Sequence, residues 1–178
     1  MMDNTKKQEE FSQIYDKYID KIYRFIFLKV NSKEIAEDLS SEAFTRCWRK
    51  LQDNQGNQGN SDAIENPQAF LYQVARNLVV DHYREKGKAQ FISADFAPVI
   101  DPKSDIMEKV ELSSDLSMVR TALAGLKNEH QELVVWHYLD DLSIAEISKI
   151  LDKPEGTVRV ALHRAMKSLK KELDIHES

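Results

Sequence analysis

The chain is poor in cysteine, glycine and proline: one Cys, 5 Gly and 4 Pro among 178 residues. A single Cys excludes an internal disulfide framework and a Cys-rich zinc site. So few Gly and Pro argue against collagen-like and turn-dense β-rich folds. No apolar run approaches the roughly 20 residues that a membrane-spanning helix needs. Met1 to Glu10 is polar and mixed in charge, without the apolar core of a signal peptide. A reducing, cytoplasmic setting without membrane insertion is expected. An excess of positive charge is also missing. Lys and Arg number 25 against 30 Asp and Glu, a formal net charge of -5. A protein that held nucleic acid by bulk charge would be basic. Any DNA contact here therefore needs clustered basic residues, or a partner that supplies phosphate contacts. What is present is globular: 42% hydrophobic and 31% charged residues, enough for one ordinary domain or two small ones.

The dominant periodicity is helical. Phe11, Ile14, Tyr15, Tyr18, Ile19, Ile22, Tyr23, Ile26 and Val30 form one apolar stripe. Asn31 with Glu34 reads as a capping pair for the next helix, where Ile35, Leu39, Ala43, Cys47 and Leu51 recur every fourth residue. Gln52 to Glu65, rich in Asn, Gln and Gly, reads as a loop. Asn66-Pro67 then supplies an N-cap and a first-turn proline for a third helix through Phe70, Leu71, Val74, Ala75, Leu78, Val79 and Tyr83, with Gly87 as its stop. From Phe91 to about Asp115 the periodicity fades among Pro98, Pro102 and a run of acids, an acidic linker. A second helical block follows. Leu116, Val119, Leu123 and Leu126 carry one helix, and Asn128 caps another through Leu133, Val134, Trp136 and Leu139. Ser143 and Glu146 form a capping box. Asp152-Lys153-Pro154 ends that short helix, and a last one, from about Glu155 to Leu173, buries Val158, Leu162, Ala165 and Leu169. The expected fold is all-α, with no strand.

Two segments could carry chemistry. Ser143 to about Lys171 has the short helix, tight break and longer second helix of a helix-turn-helix. Arg159, His163, Arg164, Lys167, Lys170 and Lys171 lie off the apolar face of that second helix. Its first turn, with free N–H groups at Glu155, Gly156 and Thr157, suits a phosphate, and Arg159 suits a bidentate contact to guanine. A plain helical hairpin with a solvated basic face is the alternative. On the third helix Gln73, Arg76, Asn77, Val80, Asp81 and Arg84 share a polar side, interleaved with Tyr72, His82 and Tyr83. Cations with aromatics suit unpaired nucleic acid. A core Tyr83 and an exposed Asp81–Arg84 ion pair explain the same residues. The second helix exposes Glu34, Glu37, Asp38, Glu42, Arg46 and Arg49, an order that matches the helix dipole and fits either a solvated surface or a docking face.

Enzyme signatures are lacking. There is no Gly-rich phosphate loop. His130 and His137 lack metal-ligand spacing. Asp81 and His82 are adjacent and point to different faces. Cys47 lies on an apolar stripe without an activating His. No enzymatic activity, cofactor or metal is expected.

Together these segments resemble the extracytoplasmic-function (group 4) sigma factors of bacterial RNA polymerase, over about Phe11 to Leu173. Ala36-Glu37-Asp38-Leu39-Ser40-Ser41-Glu42-Ala43-Phe44 is similar to the core-binding segment of region 2. Ala69 to Leu78, continuing to Asp81-His82-Tyr83-Arg84, is similar to the promoter-melting helix. Tyr138 to Ser143, Ile147 to Pro154, Gly156-Thr157-Val158-Arg159 and Leu162-His163-Arg164-Ala165 are similar to region 4.

The resemblance implies region 2 over residues 8–90, a flexible acidic linker over 91–115 and a region 4 helix-turn-helix over 116–175. It places core RNA polymerase against Asp38, Leu39, Glu42 and Phe44. It places the melted strand of the downstream (-10) promoter element against Arg76, Asn77, Asp81, Tyr83 and Arg84, with the Gln52–Glu65 loop where the family captures a flipped base. The upstream (-35) element would meet Thr157, Arg159, Val160, His163, Arg164 and Lys167. Family analogy adds an anti-sigma factor as partner, and the free chain is expected to be a monomer. Ser41 stands where the family often has Gln. Val160 and Ala161 stand where many members carry polar or basic residues, which leaves upstream readout to Arg159, His163, Arg164 or apolar contact with thymine methyls. A free-standing helix-turn-helix regulator would instead bind duplex DNA tightly, usually as a dimer; an enzyme would need a pocket and a cofactor or metal; a degenerate sigma-like protein would dock on polymerase without initiating.

Overall fold

The apolar stripe that begins at Phe11 becomes the inner face of a 29-residue helix, α1 (Met2–Val30). The computed structural model describes residues 2–30, 32–53, 64–86, 118 and 121–177, and no strand occurs among them. Asn31, most of the Gln52–Glu65 loop, Gly87 and the 91–115 linker lie outside the described residues. Ser32 is the residue that caps the second helix, α2 (Lys33–Asp53): its hydroxyl accepts from the Ile35 N–H at 3.4 Å. The fourfold spacing then buries Ala43, Cys47 and Leu51, while towards the start of the helix Ala36 and Ser40 are buried and Ile35 and Leu39 are half-buried at its edge. Aromatic rings lock α2 to α1, Phe11 edge-on to Trp48 at 5.2 Å and Tyr15 edge-on to Phe44 at 5.0 Å.

Asn66-Pro67 opens α3 (Pro67–Glu85) as its chemistry requires. The Asn66 side chain accepts from the Ala69 N–H at 3.0 Å, and Pro67 occupies a position where no helical N–H is needed. Leu71, Tyr72, Ala75, Leu78 and Val79 face inward, and α3 closes a three-helix bundle with α1 and α2.

In the second block residues 121–124 are helical, and Leu123 and Leu126 are buried. Helix α4 (Asn128–Val134) follows, and Lys127 rather than Asn128 holds its N-cap position, without a side-chain cap. The Asn128 amide is engaged elsewhere: its oxygen accepts from the Lys29 ammonium and its nitrogen donates to Glu132. The chain then widens into a π-helical turn over Val135–Leu139, closed by the Asp140 N–H to the Val135 carbonyl at 3.0 Å. Such turns are rare and often mark functional sites. Helix α5 (Ile144–Leu151) carries both halves of the Ser143–Glu146 capping box. Asp152 ends it in a left-handed conformation, φ 52°. Helix α6 (Glu155–Glu177) packs on α4 and α5.

The two blocks do not stand apart. Helix α3 packs on α5, and buried residues of both halves form one continuous cluster. At its centre Phe25 lies stacked on Trp136 at 5.8 Å, and Tyr72 meets the same indole edge-on at 5.8 Å. Local periodicity predicts each bundle but carries no sign of this contact.

Candidate nucleic-acid interface

Helix α6 presents one open polar face. Val158, Leu162, Ala165 and Leu169 anchor it, and the three-to-four-residue period turns Thr157, Arg159, Val160, His163, Arg164 and Lys167 outward, all exposed. A side chain at Gly156 would meet nothing within 4 Å, so the first turn is also open. Upstream of it, α5 is fixed by the Ser143 hydroxyl accepting from the Glu146 N–H at 3.1 Å and the Ser143 N–H donating to the Glu146 carboxylate at 2.7 Å. The short helix, left-handed break and longer helix reproduce the expected helix-turn-helix.

The polar side of α3 is divided. Asn77, Asp81 and Arg84 are exposed, and Arg84 and Asp81 form a solvent-facing pair at 3.9 Å. Tyr83 is half-buried, its hydroxyl donating to the Lys29 carbonyl at 2.9 Å. Gln73 and Arg76 are turned to the C-terminal half instead. The Gln73 amide donates to the Ile150 carbonyl at 3.0 Å, and Arg76 Nε lies 3.1 Å from Glu132 Oε2.

On α2 the structure separates Phe44 from the other expected polymerase contacts. Asp38 is exposed, while Leu39 and Glu42 are partly so. Glu42 accepts from Arg46 at 2.8 Å. Phe44 is only 3% exposed, and its ring helps line a groove between α1 and α2 with Phe11, Tyr15, Tyr23 and Trp48. Glu37 and Asp20 stand at the same groove. Cys47 is fully covered, and burial pushes its thiol up to about 11, so it is inert packing.

Arg24, Lys29, Gln131, Glu132, Trp136 and Asp140, which the sequence reading did not single out as functional, converge between the halves with Tyr72 and Arg76. Arg24 pairs with Asp140 and also donates to the Leu139 carbonyl at 3.1 Å. The Tyr72 hydroxyl donates to the other Asp140 oxygen at 2.6 Å. Lys29 donates to Gln131 at 2.7 Å and stands 3.8 Å from Glu132. Burial lowers the Lys29 ammonium to about 8, Glu132 partly restores it, and Arg76 lowers it further. Burial, then the charge and hydrogen bond of Asp140, push the Tyr72 phenol far up. The Arg76 guanidinium lies 5.7 Å from the centre of the Trp136 ring. One signal in the sequence points this way: Lys29 sits on the stripe of Ile22 and Ile26, where a cation needs a buried partner.

Among the described residues no cluster of His, Cys, Asp or Glu could hold a metal ion. No helix among them is long and apolar enough to cross a membrane.

Comparison with known proteins matches residues 14–89 to the Sigma-70 region 2 family and residues 116–169 to Sigma-70, region 4. The chain is 30% identical to the ECF RNA polymerase sigma factor SigW of Bacillus subtilis, over 93% of this chain and 90% of that one. It is also 30% identical to the ECF RNA polymerase sigma factor BldN of Streptomyces coelicolor, over 90% of this chain but 59% of BldN. Among solved structures, the sigma factor RpoE of Bartonella quintana, crystallised in complex with the anti-sigma factor NepR, matches with a TM-score of 0.62 and 22% identity over 94% of this chain and 98% of that one.

Proposed function

The chain belongs to the extracytoplasmic-function sigma factors, which direct RNA polymerase to promoters through regions 2 and 4, and on that premise we propose how its surfaces divide the work. Region 4 places α6 in the major groove of the upstream promoter element. The observation that carries this is the single open face of Thr157, Arg159, Val160, His163, Arg164 and Lys167, on a helix whose opposite side is anchored in the core. Arg159 reads a base edge and its basic neighbours hold phosphates. Exposed Val160 offers apolar contact to a thymine methyl.

Region 2 docks on core polymerase through Asp38, Leu39 and Glu42, with Phe44 acting from beneath as a support for the α1–α2 groove. Its third helix holds the melted strand of the downstream element through Arg76, Asn77, Asp81, Tyr83 and Arg84. The protein works in the cytoplasm, where polymerase is, and an anti-sigma protein belongs to the same reading on family analogy. A net charge of -5 accords with this division, because polymerase supplies much of the attraction for DNA and the sigma factor supplies selection.

The test is co-elution of the purified chain with bacterial core RNA polymerase by size exclusion at moderate salt without DNA, followed by transcription from a promoter library. A stable one-to-one complex that initiates at a defined promoter class is expected. Absence of a complex, with a known sigma factor binding the same core, would favour a free-standing helix-turn-helix regulator. A complex that never initiates would mark a degenerate factor.

A further inference from the structure

The contact between the two halves buries charge as well as apolar surface. Arg24 and Lys29 of α1 and Arg76 of α3 meet Glu132 and Asp140. Those two acids and Trp136 stand at every fourth position, on one face of α4 and its π-helical extension. The Trp136 indole lies between them, stacked on Phe25, edge-on to Tyr72 and under the Arg76 guanidinium.

Buried ion pairs seldom add stability beyond what well-packed apolar residues of the same size would give. An interface that served only to join the halves would need no Lys29 in its interior, where that side chain is 4% exposed. Nor is the fit complete. Trp136 Nε1 is buried without a hydrogen-bond partner, and Arg76 Nε and Glu132 Oε2 approach without hydrogen-bond alignment. Three cations around two aromatic rings are, however, what an unpaired nucleotide strand asks of a protein: charge for the phosphates and a flat surface for the base.

We propose that Arg24, Phe25, Lys29, Tyr72 and Arg76 form a cleft for unpaired DNA, and that region 4 closes it in the free chain by standing in for the strand. Glu132 and Asp140 take the places of phosphates, and Trp136 takes that of a base. This rests on the sigma-factor reading and adds two things to it: α1 cations in strand binding, and a self-made competitor that must leave first. Opening the halves exposes the cleft and frees Gln73 and Arg76 at the same time. The apparent affinity of a cleft open for only a fraction of the time falls by that fraction.

The test measures fluorescence anisotropy of a labelled single-stranded oligodeoxynucleotide of about 12 nucleotides with the full-length chain in the absence of polymerase. The double variant Glu132→Gln/Asp140→Asn keeps the cations and removes the imitated phosphates. It should bind at least about tenfold more tightly than the parent chain, and adding Arg76→Ala should reverse the gain. Glu9→Gln/Glu10→Gln removes the same charge from exposed turns of α1 and should leave binding near the parent value. Tyr72→Phe loses only the hydroxyl bond to Asp140 and should give a smaller gain in the same direction; it decides the matter if circular dichroism finds the double variant unfolded. No gain in a folded variant, an equal gain in the Glu9/Glu10 control, or a gain that survives Arg76→Ala would overturn the proposal. Co-elution with core polymerase is run on the same samples. Polymerase binding without any single-strand gain overturns this inference alone, whereas loss of polymerase binding by the parent chain overturns the reading beneath it.

Discussion

Two helices in this protein carry basic residues on a polar face, and they end in opposite states. On α6 the face from Thr157 to Lys167 is open. On α3 Gln73 and Arg76 are engaged by Ile150 and Glu132 of the other half. Both helices show the same signal in sequence, cations off an apolar stripe. The difference lies in what else the chain offers to each. No acid on another element pairs with Arg159 or Arg164 among the contacts described, whereas Glu132 and Asp140 reach far back along the chain to Arg76, Lys29 and Arg24. A basic face therefore reports a capacity for phosphate. Whether that capacity is available is a property of the whole fold.

Variants can break or sharpen this contrast, and the largest effect should come from its centre. Trp136→Ala empties the space that Phe25, Tyr72 and Arg76 enclose. It should cost about 3–5 kcal/mol of unfolding free energy, measured by urea denaturation. A loss below 1 kcal/mol on the same order-of-magnitude scale would mean that the halves are barely coupled.

Next is the pH dependence that Lys29 imposes. Its folded pKa is lowered to about 8, against the ordinary lysine value near 10.4 when unfolded. Below about pH 8 both states carry the proton, and the cost of burying the ammonium is present in full. Between about pH 8 and 10 the unfolded chain binds the extra proton, so stability should rise with pH, by up to about 1.4 kcal/mol per unit. Denaturation midpoints across that range should rise relative to those of Lys29→Met, which lacks the group. Parallel curves would refute the burial.

On the open surface, Arg159→Ala should weaken discrimination at one upstream base pair by about 1–3 kcal/mol and leave folding and polymerase binding intact. Transcription from promoters mutated singly in that element would read it. Joint loss of polymerase binding would show that α6 has a structural duty there. Ser143→Ala removes the cap that positions α5 and should cost about 1 kcal/mol in thermal unfolding. The smallest folding effect belongs to Glu42→Ala. Its exposed pair with Arg46 is worth about 0.3–0.5 kcal/mol, so a clear fall in core polymerase affinity at nearly unchanged stability would separate docking from folding on α2.

Much of the fold was legible because its signals are local. Asn66-Pro67 and Ser143–Glu146 start their helices as the chemistry of orphan N–H groups demands, and Cys47 is packing because it shares the fourfold stripe of Ala43 and Leu51. The exposed face of α6 followed from the same counting. Asn128 shows where counting fails. Its residue type suits a cap, but Lys29 and Glu132 draw its amide away, and Lys29, 99 residues earlier, is not a neighbour that local pattern weighs. Phe44 is a different case: its resemblance to the core-binding segment says nothing of burial, and its ring packs inward against Phe11 and Tyr15.

The amino-acid sequence by itself determined the helices, the Asn66 and Ser143 caps and the two helix faces that carry cations, because periodicity and capping act within a few residues along the chain. Only the tertiary structure decided that part of one of those faces, Gln73 and Arg76 on α3, is covered. The Arg24–Asp140 and Tyr72–Asp140 contacts join positions 116 and 68 residues apart. Pairings at that range are chosen by packing and by the need of every buried charge for a partner, and no local pattern records them.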